Sequence, residues 1–256
     1  MSASRLLLVP SFTELEWGIR PELEEWAEVA SFDMPGIGLE PLPAGVQLDP
    51  DIPAEHYAEM LAVWRKAGAE IAEREVDRRG WDEFLVVTDS RGISTAIGVA
   101  ERRTQQVQGL AFGHAALSHS GEGPRAPERA EIWNAVAQLA DQGSDAFVRH
   151  GIAQATRGGV DEETAQQMIQ RFPDMRMVKT MIEALGANPE PIGERLAGLG
   201  LPLLLAKHEG CLGSTDEGFE DIVAALSDAQ TVICPEACPS SPAFAAAIRE
   251  LSESVN

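Results

Sequence analysis

Short apolar runs alternate with amphipathic stretches along most of the chain. Continuous apolar runs that end at turn-forming or polar residues predict buried strands, and they lie at Arg5–Val9, Glu28–Phe32, Phe84–Val87, Val107–Phe112, Leu203–Ala206 and Thr231–Cys234. Apolar residues at helical spacing predict helices at Glu22–Ala27, Ala54–Arg79, Ser94–Arg103, Gly218–Leu226 and Pro242–Leu251. This alternation predicts an α/β fold with a mostly parallel sheet and helices on both of its faces.

The alternation stops after the fourth predicted strand. Residues Ser118–Pro127 are rich in Gly, Ser and Pro, which predicts a loop. From Ala130 to Ala187 the pattern is helical only. We therefore divide the chain into a core of residues 1–117 and 196–256, and a helical insertion of residues 118–195.

The net charge and the lengths of the apolar runs limit which kinds of partner this protein could have. The formal charge of −21 would repel phosphate backbones and anionic lipid, which argues against a nucleic-acid partner. No apolar run approaches the ~20 residues of a membrane span, and the apolar run at the N-terminus is too short for a secretory signal. We therefore expect a cytoplasmic protein without membrane association. The composition leaves a homodimer open.

The cysteines do not form a recognisable framework. Cys211, Cys234 and Cys238 cluster near the C-terminus, and their spacing fits neither a disulfide scaffold nor a zinc site. The chain also has no glycine-rich phosphate loop and no dinucleotide-binding pattern. We therefore expect neither a metal nor an organic cofactor, and a small molecule as ligand.

The stretch Phe84–Ala100 predicts a strand, a sharp turn at Ser90 and a helix. Residues 88–92, TDSRG, are similar to the pattern G-x-S-x-G, with threonine in place of the first glycine. Residues 32–38, FDMPGIG, match a D-x-P-G-x-G turn. In these motifs the chain resembles the α/β-hydrolase family. The resemblance implies an α/β-hydrolase core with the helical insertion as its lid, and Ser90 as the nucleophile.

Two other interpretations of this turn exist. Ser90 could be an ordinary helix N-cap, since serine is common there. Asp89 could be the nucleophile, as in aspartate-using relatives, but the downstream glycine of the motif would then fall on Arg91. The order of the surrounding elements favours Ser90.

The resemblance also implies the position of an oxyanion hole. Residues 10 and 11, Pro-Ser, stand where the family has His-Gly. By position, the backbone N–H groups of Phe12 and Arg91 would bind the oxyanion. Asp33, in the D-x-P-G-x-G turn, is expected to brace the loop and not to take part in chemistry.

The segments that carry the family's acid and base depart from its pattern. Cys211 falls on the acid and Cys238 on the base. A thiol with a pKa of about 8.5 is mostly protonated near neutral pH, whereas imidazole, at about 6.5, takes and gives a proton there. We expect Cys211 and Cys238 to be neighbours in one pocket wall. His114 and His208 follow predicted strands at the active edge and are the candidates for a replacement base.

Two functions follow from this resemblance. One is a serine hydrolase of small, mainly apolar ester or acyl substrates, in which Ser90 attacks and Trp133, in the helical insertion, contacts the substrate. The other is a non-catalytic protein that keeps the pocket and binds a small apolar ligand for sensing or signalling. The retained turn favours the first function, and the substituted acid and base favour the second.

Overall fold

The computed structural model describes residues 4–46, 56–115, 126–152, 161–187, 190–209, 214 and 216–255. Six strands in this part of the chain form one sheet: β1 (Ser4–Val9), β2 (Ala27–Ser31), β3 (Phe84–Asp89), β4 (Val107–Gly113), β5 (Leu203–His208) and β6 (Gln230–Cys234). Their order is β2-β1-β3-β4-β5-β6, and each neighbouring pair is parallel. The predicted α/β fold with a parallel sheet is confirmed.

Helices connect the strands, and further helices lie in the predicted insertion. Their bounds are α1 (Arg20–Glu24), α2 (Tyr57–Arg79), α3 (Ile93–Arg102), α4 (Ala126–Asp141), α5 (Glu162–Arg171), α6 (Met175–Ala187), α7 (Ile192–Leu199), α8 (Asp216–Ala225) and α9 (Pro242–Val255). Between α4 and α5, a helical turn at Ser144–Ala146 continues as a π-helix at Phe147–Ile152. The helical segment therefore lies between β4 and β5, where the sequence pattern places it.

Several predicted boundaries differ from the observed elements. The helix predicted at Glu22–Ala27 is observed at Arg20–Glu24, and Ala27 already belongs to β2. The predicted loop ends at Pro127, but α4 already begins at Ala126. Proline is tolerated in the first turn of a helix, where its missing N–H has no helical partner. The proposed division after residue 195 falls inside α7, so the end of the insertion stays a prediction.

The core has two layers because side chains alternate between the faces of each strand. Leu6 and Leu8 of β1 pack on the face covered by α1 and α9, whereas Leu7 and Val9 pack on the face covered by α2 and α3. All four side chains are fully buried. Complete burial of such a side chain typically contributes about 1.5–3 kcal/mol. This double burial explains why the strands are continuous apolar runs.

The parallel arrangement brings the carboxyl ends of the strands to one edge of the sheet. There β3 ends at Asp89, β4 at Gly113, β5 at His208 and β6 at Cys234. Ligands of open α/β sheets bind at this edge. Within the described residues, no helix is both long and apolar enough to cross a membrane.

Candidate functional site

Ser90 occupies a strained turn between β3 and α3. Its φ of 38° lies in the left-handed region, which non-glycine residues rarely adopt. The preceding Asp89 is still extended, with φ of −136°. The turn is crowded, since a Cβ on Gly92 would lie 2.8 Å from the carbonyl oxygens of both Val9 and Pro10. Glycine at position 92 is therefore required for the helix to start so close to β1.

Thr88 stands where the G-x-S-x-G pattern has its first glycine. Its side chain is fully buried, and Oγ1 donates a hydrogen bond to the carbonyl oxygen of Val9, at 3.2 Å. The bulkier residue is therefore accommodated by pairing its hydroxyl with the neighbouring strand.

Glu16 covers the backbone amides of the loop after β1. One carboxylate oxygen, Oε1, accepts from the N–H groups of Phe12 and Thr13, at 3.0 and 3.1 Å. The other, Oε2, accepts from the N–H of Ser11 at 2.9 Å. Thr13 and Glu16 form a capping box, in which each side chain bonds the backbone of the other residue. The Phe12 amide, the predicted oxyanion donor, is thus engaged by the chain's own carboxylate.

The carboxyl of Glu16 is buried, with 7% of the residue exposed. Burial raises the pKa of Glu16 to about 7, although the charge of Arg91 and the backbone amides of Thr13 and Ser11 act in the opposite direction. This carboxyl therefore titrates near neutral pH in the folded protein.

Arg91 follows the strained serine and lies between two aromatic rings. Its guanidinium carbon is 5.1 Å from the ring centroid of Phe12 and 5.9 Å from that of Trp133. Trp133 is 6% exposed and lies against α6, where a Cβ on Gly186 would be only 3.0 Å from the Trp133 Cβ. Glycine at position 186 therefore lets the Trp133 indole lie close to α6, within 5.9 Å of the guanidinium carbon.

A second group of polar side chains lies at the ends of β3, β4 and β5. His114 Nδ1 is 2.5 Å from Asp89 Oδ1, and His114 Nε2 is 2.7 Å from His208 Nδ1. Asp89 and His114 are each 5% exposed. A Cβ on Gly113 would lie 2.7 Å from Asp89 Oδ1, so the absent side chain makes room for the carboxylate. The three residues form a continuous chain of hydrogen bonds, here called the Asp–His–His chain.

The direction of these hydrogen bonds follows from the carboxylate. An ionised Asp89 only accepts, so the Nδ1 of His114 carries the proton. Burial, together with the charge of His114, lowers the pKa of His208 to about 4, so His208 is neutral at pH 7. In that tautomer, Nε2 of His114 accepts a hydrogen bond from Nδ1 of His208. The Nε2 of His208, which makes no hydrogen bond to any described residue, then keeps a free lone pair.

Cys238 is buried beside this chain. Its sulfur accepts from the backbone N–H of His114 at 3.4 Å, and its thiol is hydrogen-bonded to that of Cys234. Both thiols are free and fully buried. Burial raises the pKa of the Cys238 thiol, which suits it neither as base nor as nucleophile. Cys211 lies outside the described residues, so its expected proximity to Cys238 stays a prediction.

Asp33 ties the loop after β1 to the helical insertion. It accepts from Thr13 Oγ1 at 2.8 Å and from the Glu14 N–H at 3.1 Å, and it forms an ion pair with Arg171 of α5. A Cβ on Gly38 would lie 2.1 Å from Asp33 Oδ2, so the turn needs glycine there. These contacts are structural, and they position the segment that carries Phe12 and Glu16.

Sequence reasoning did not identify two members of the site. Glu16 was detectable, since the Thr-x-x-Glu pattern at residues 13–16 is a capping-box signature. Asp89 was considered only as a nucleophile, and no local pattern predicts its pairing with His114, 25 residues away. In the described part of the chain, no three His, Cys, Asp or Glu side chains are arranged to hold a metal ion.

Comparison with known proteins gives a structural likeness only. No protein-family model and no curated protein matches the sequence. A thermophilic esterase from Thermogutta terrifontis with malate bound superposes with a TM-score of 0.69 at 19% identity, over 99% of this chain and 91% of the esterase. The N-formylmaleamic acid deformylase of Pseudomonas putida S16 gives 0.66 at 20% identity, over 97% and 92%. A haloalkane dehalogenase variant from Bradyrhizobium elkanii gives 0.66 at 16% identity, over 99% and 89%.

These neighbours catalyse different reactions on a common scaffold. At such low identities the likeness concerns the fold, and the chemistry has to be argued from the residues of this chain.

Proposed function

We propose that this chain, which has the α/β-hydrolase fold, hydrolyses small, mainly apolar ester or acyl substrates through Ser90. The observation that carries the proposal is the left-handed backbone of Ser90, with φ of 38°, directly before a turn that admits only glycine at position 92. Such a conformation costs about 1–3 kcal/mol. An ordinary N-cap serine has an extended backbone and gains nothing from this strain. The strained turn therefore favours a nucleophile over a helix cap.

The Asp–His–His chain would supply the base. In the proposed step, Ser90 Oγ attacks the carbonyl carbon while its proton moves to His208 Nε2. The Nδ1 proton of His208 then moves to His114 Nε2, and the resulting His114 imidazolium is stabilised by the carboxylate of Asp89. This relay places the positive charge next to a buried carboxylate, which compensates for the low pKa of His208 itself. It requires Ser90 Oγ to reach His208 Nε2 directly or through one water.

Collapse of the tetrahedral intermediate would reverse this relay. The proton returns through His208 to the leaving alcohol or amine, and an acyl–Ser90 ester remains. Water, deprotonated by the same relay, then attacks the carbonyl carbon of this ester. The relay returns the proton to Ser90 Oγ as the acyl–oxygen bond breaks, and the acid is released. The oxyanion of each intermediate would be bound by the N–H groups of Phe12 and Arg91, so the Glu16 carboxylate must first leave the Phe12 amide.

A non-catalytic ligand-binding protein is the second candidate. It is favoured by the same Glu16, which occupies the amide that an oxyanion would need, and by Cys238 at the position of the base. Under this alternative the pocket remains and the chemistry has been lost.

Labelling with a fluorophosphonate probe distinguishes the two candidates. We expect the wild-type protein to be labelled and to hydrolyse 4-nitrophenyl esters, and Ser90→Ala to do neither. His208→Ala is expected to lower kcat by about 10²–10⁴-fold, as is typical for loss of a general base. The matched control is His56→Ala, since His56 is exposed at the start of α2 and makes no side-chain capping bond.

Three results would decide against the hydrolase. They are a folded wild-type protein that the probe does not label, labelling at a residue other than Ser90, and ester hydrolysis that survives Ser90→Ala. The first result, together with saturable binding of a small apolar molecule, would support the ligand-binding alternative.

A further inference from the structure

The guanidinium of Arg91 lacks a hydrogen-bond partner in the described part of the chain. Its Nε is fully buried and unpaired, and no hydrogen bond of its terminal nitrogens is found among the described residues. Burial lowers the pKa of Arg91 from its usual value. A buried guanidinium normally forms charge-assisted hydrogen bonds to a carboxylate or phosphate, because an unpaired buried charge is strongly destabilising. This group therefore has donors that remain for a ligand.

The two carboxylates whose charge acts on Arg91 are hydrogen-bonded elsewhere. Glu16 and Asp89 both act on Arg91 through their charge, yet neither is hydrogen-bonded to it. Glu16 is bonded to three backbone amides, and Asp89 is bonded to His114. Neither carboxylate therefore satisfies the donors of the guanidinium.

The aromatic neighbours do not satisfy the N–H groups of the guanidinium. Phe12 and Trp133 contact the guanidinium at 5.1 and 5.9 Å from their ring centroids. Cation–π contacts attract the charge but use the ring faces and not the N–H donors. The five donors of a guanidinium lie in its plane and match a carboxylate bidentately. The rings thus hold a planar donor group one residue from Ser90.

We infer that Arg91 binds a carboxylate of the substrate, so the substrate class is small acyl esters or amides that carry a second, anionic end. This inference rests on the proposed function and makes its substrate more specific. The apolar chain of the acyl group would lie against Phe12 and Trp133, with its carboxylate on Arg91 and its carbonyl at Ser90. Specificity for the anionic end would then come from one residue that also supplies a backbone N–H to the oxyanion.

A pair of esters matched in length tests this assignment. We expect kcat/KM for mono-4-nitrophenyl adipate to exceed that for 4-nitrophenyl hexanoate by about tenfold to hundredfold, the usual effect of a hydrogen bond between charged groups. The preference should disappear in Arg91→Met and survive in part in Arg91→Lys, which keeps the charge but not the bidentate geometry. Both esters are measured near 0.15 M salt, where the Debye length is about 8 Å and the field of the acidic surface is screened.

Binding of free adipate provides a readout that does not depend on catalysis. By calorimetry, adipate should bind the wild-type protein and Arg91→Lys, and should bind Arg91→Met at least tenfold more weakly. Hexane-1,6-diol, a neutral molecule of the same length, should not distinguish the three proteins. Thermal unfolding of each variant shows whether it is folded.

The outcomes separate this inference from the proposed function. Hydrolysis of both esters without preference, and no adipate binding, would overturn the role of Arg91 and leave the hydrolase intact. Adipate binding that depends on Arg91 without hydrolysis of either ester would refute the hydrolase and keep the anion site. A wild-type preference that Arg91→Met retains would also overturn the assignment. If Arg91→Met does not fold, an unchanged preference in a folded Arg91→Lys would do the same.

Discussion

Replacement of Glu16 by glutamine is expected to change how the free energy of unfolding depends on pH. Burial raises the pKa of Glu16 from 4.5 to about 7. The folded protein therefore keeps this proton up to about pH 7, whereas the unfolded chain loses it near 4.5. The stability that this proton contributes is fully present below the lower value and is lost as the pH rises through the higher one.

The magnitude follows from the two pKa values. Their difference corresponds to about 3 kcal/mol, at about 1.36 kcal/mol for each pH unit. Linkage places about 2–3 kcal/mol of this change between pH 5 and pH 8.5. Glutamine does not titrate, so the free energy of unfolding of the wild-type protein should fall by about that amount relative to Glu16→Gln over this range.

Urea unfolding, followed by tryptophan fluorescence at several pH values, measures the effect. The control is Glu22→Gln, an exposed position in α1, which should follow the wild-type pH dependence. The same pH dependence in the wild-type protein and Glu16→Gln would refute the reasoning. A wild-type protein that gains stability relative to Glu16→Gln as the pH rises would show that Arg91 and the backbone amides outweigh burial.

Three further predictions concern the neighbouring elements. Gly92→Ala should lower the midpoint of thermal unfolding and abolish labelling by the fluorophosphonate, because its Cβ would lie 2.8 Å from two carbonyl oxygens. The control is Gly98→Ala in α3, where a Cβ has room, and it should be neutral or stabilise the protein by about 0.5–1 kcal/mol. Asp89→Asn should lower kcat of ester hydrolysis by more than tenfold with little change in KM, since the His114 imidazolium loses its counter-charge. Equal kcat values for the wild-type protein and Asp89→Asn would show that Asp89 is not part of the relay. Cys234 and Cys238 should react with a thiol reagent only after unfolding, since both are fully buried; rapid labelling of either in the native protein would contradict this.

The fold could be predicted from the sequence because its strands are buried on both faces. Each of the six apolar runs became a strand of the sheet, with bounds that moved by no more than two residues. A continuous apolar run can be identified from the sequence alone, because the side chains on both faces of such a strand are buried. Helix ends were less predictable, as at Ala126, because end residues contribute little to the periodic pattern.

The candidate site was predictable where its signal is local. The sharp turn at Ser90 was predicted from the neighbouring residues, whereas its positive φ became evident only in the structure. His114 and His208 were found because the ends of parallel strands meet at one edge. Local pattern and topology thus identified the candidates but not the contacts among them.

The remaining contacts were decided by the tertiary structure. The Asp–His–His chain joins residues 25 and 94 positions apart, and the guanidinium of Arg91 lies between rings from the β1 loop and α4. The capping box of Glu16 is local, but its raised pKa is caused mainly by burial under the rest of the molecule. Electrostatic properties depend on every group that excludes water or carries charge nearby. The sequence by itself therefore determined the scaffold and the sharp turn at Ser90. Only packing decided which side chains are hydrogen-bonded to each other and which charge has no hydrogen-bond partner among the described residues.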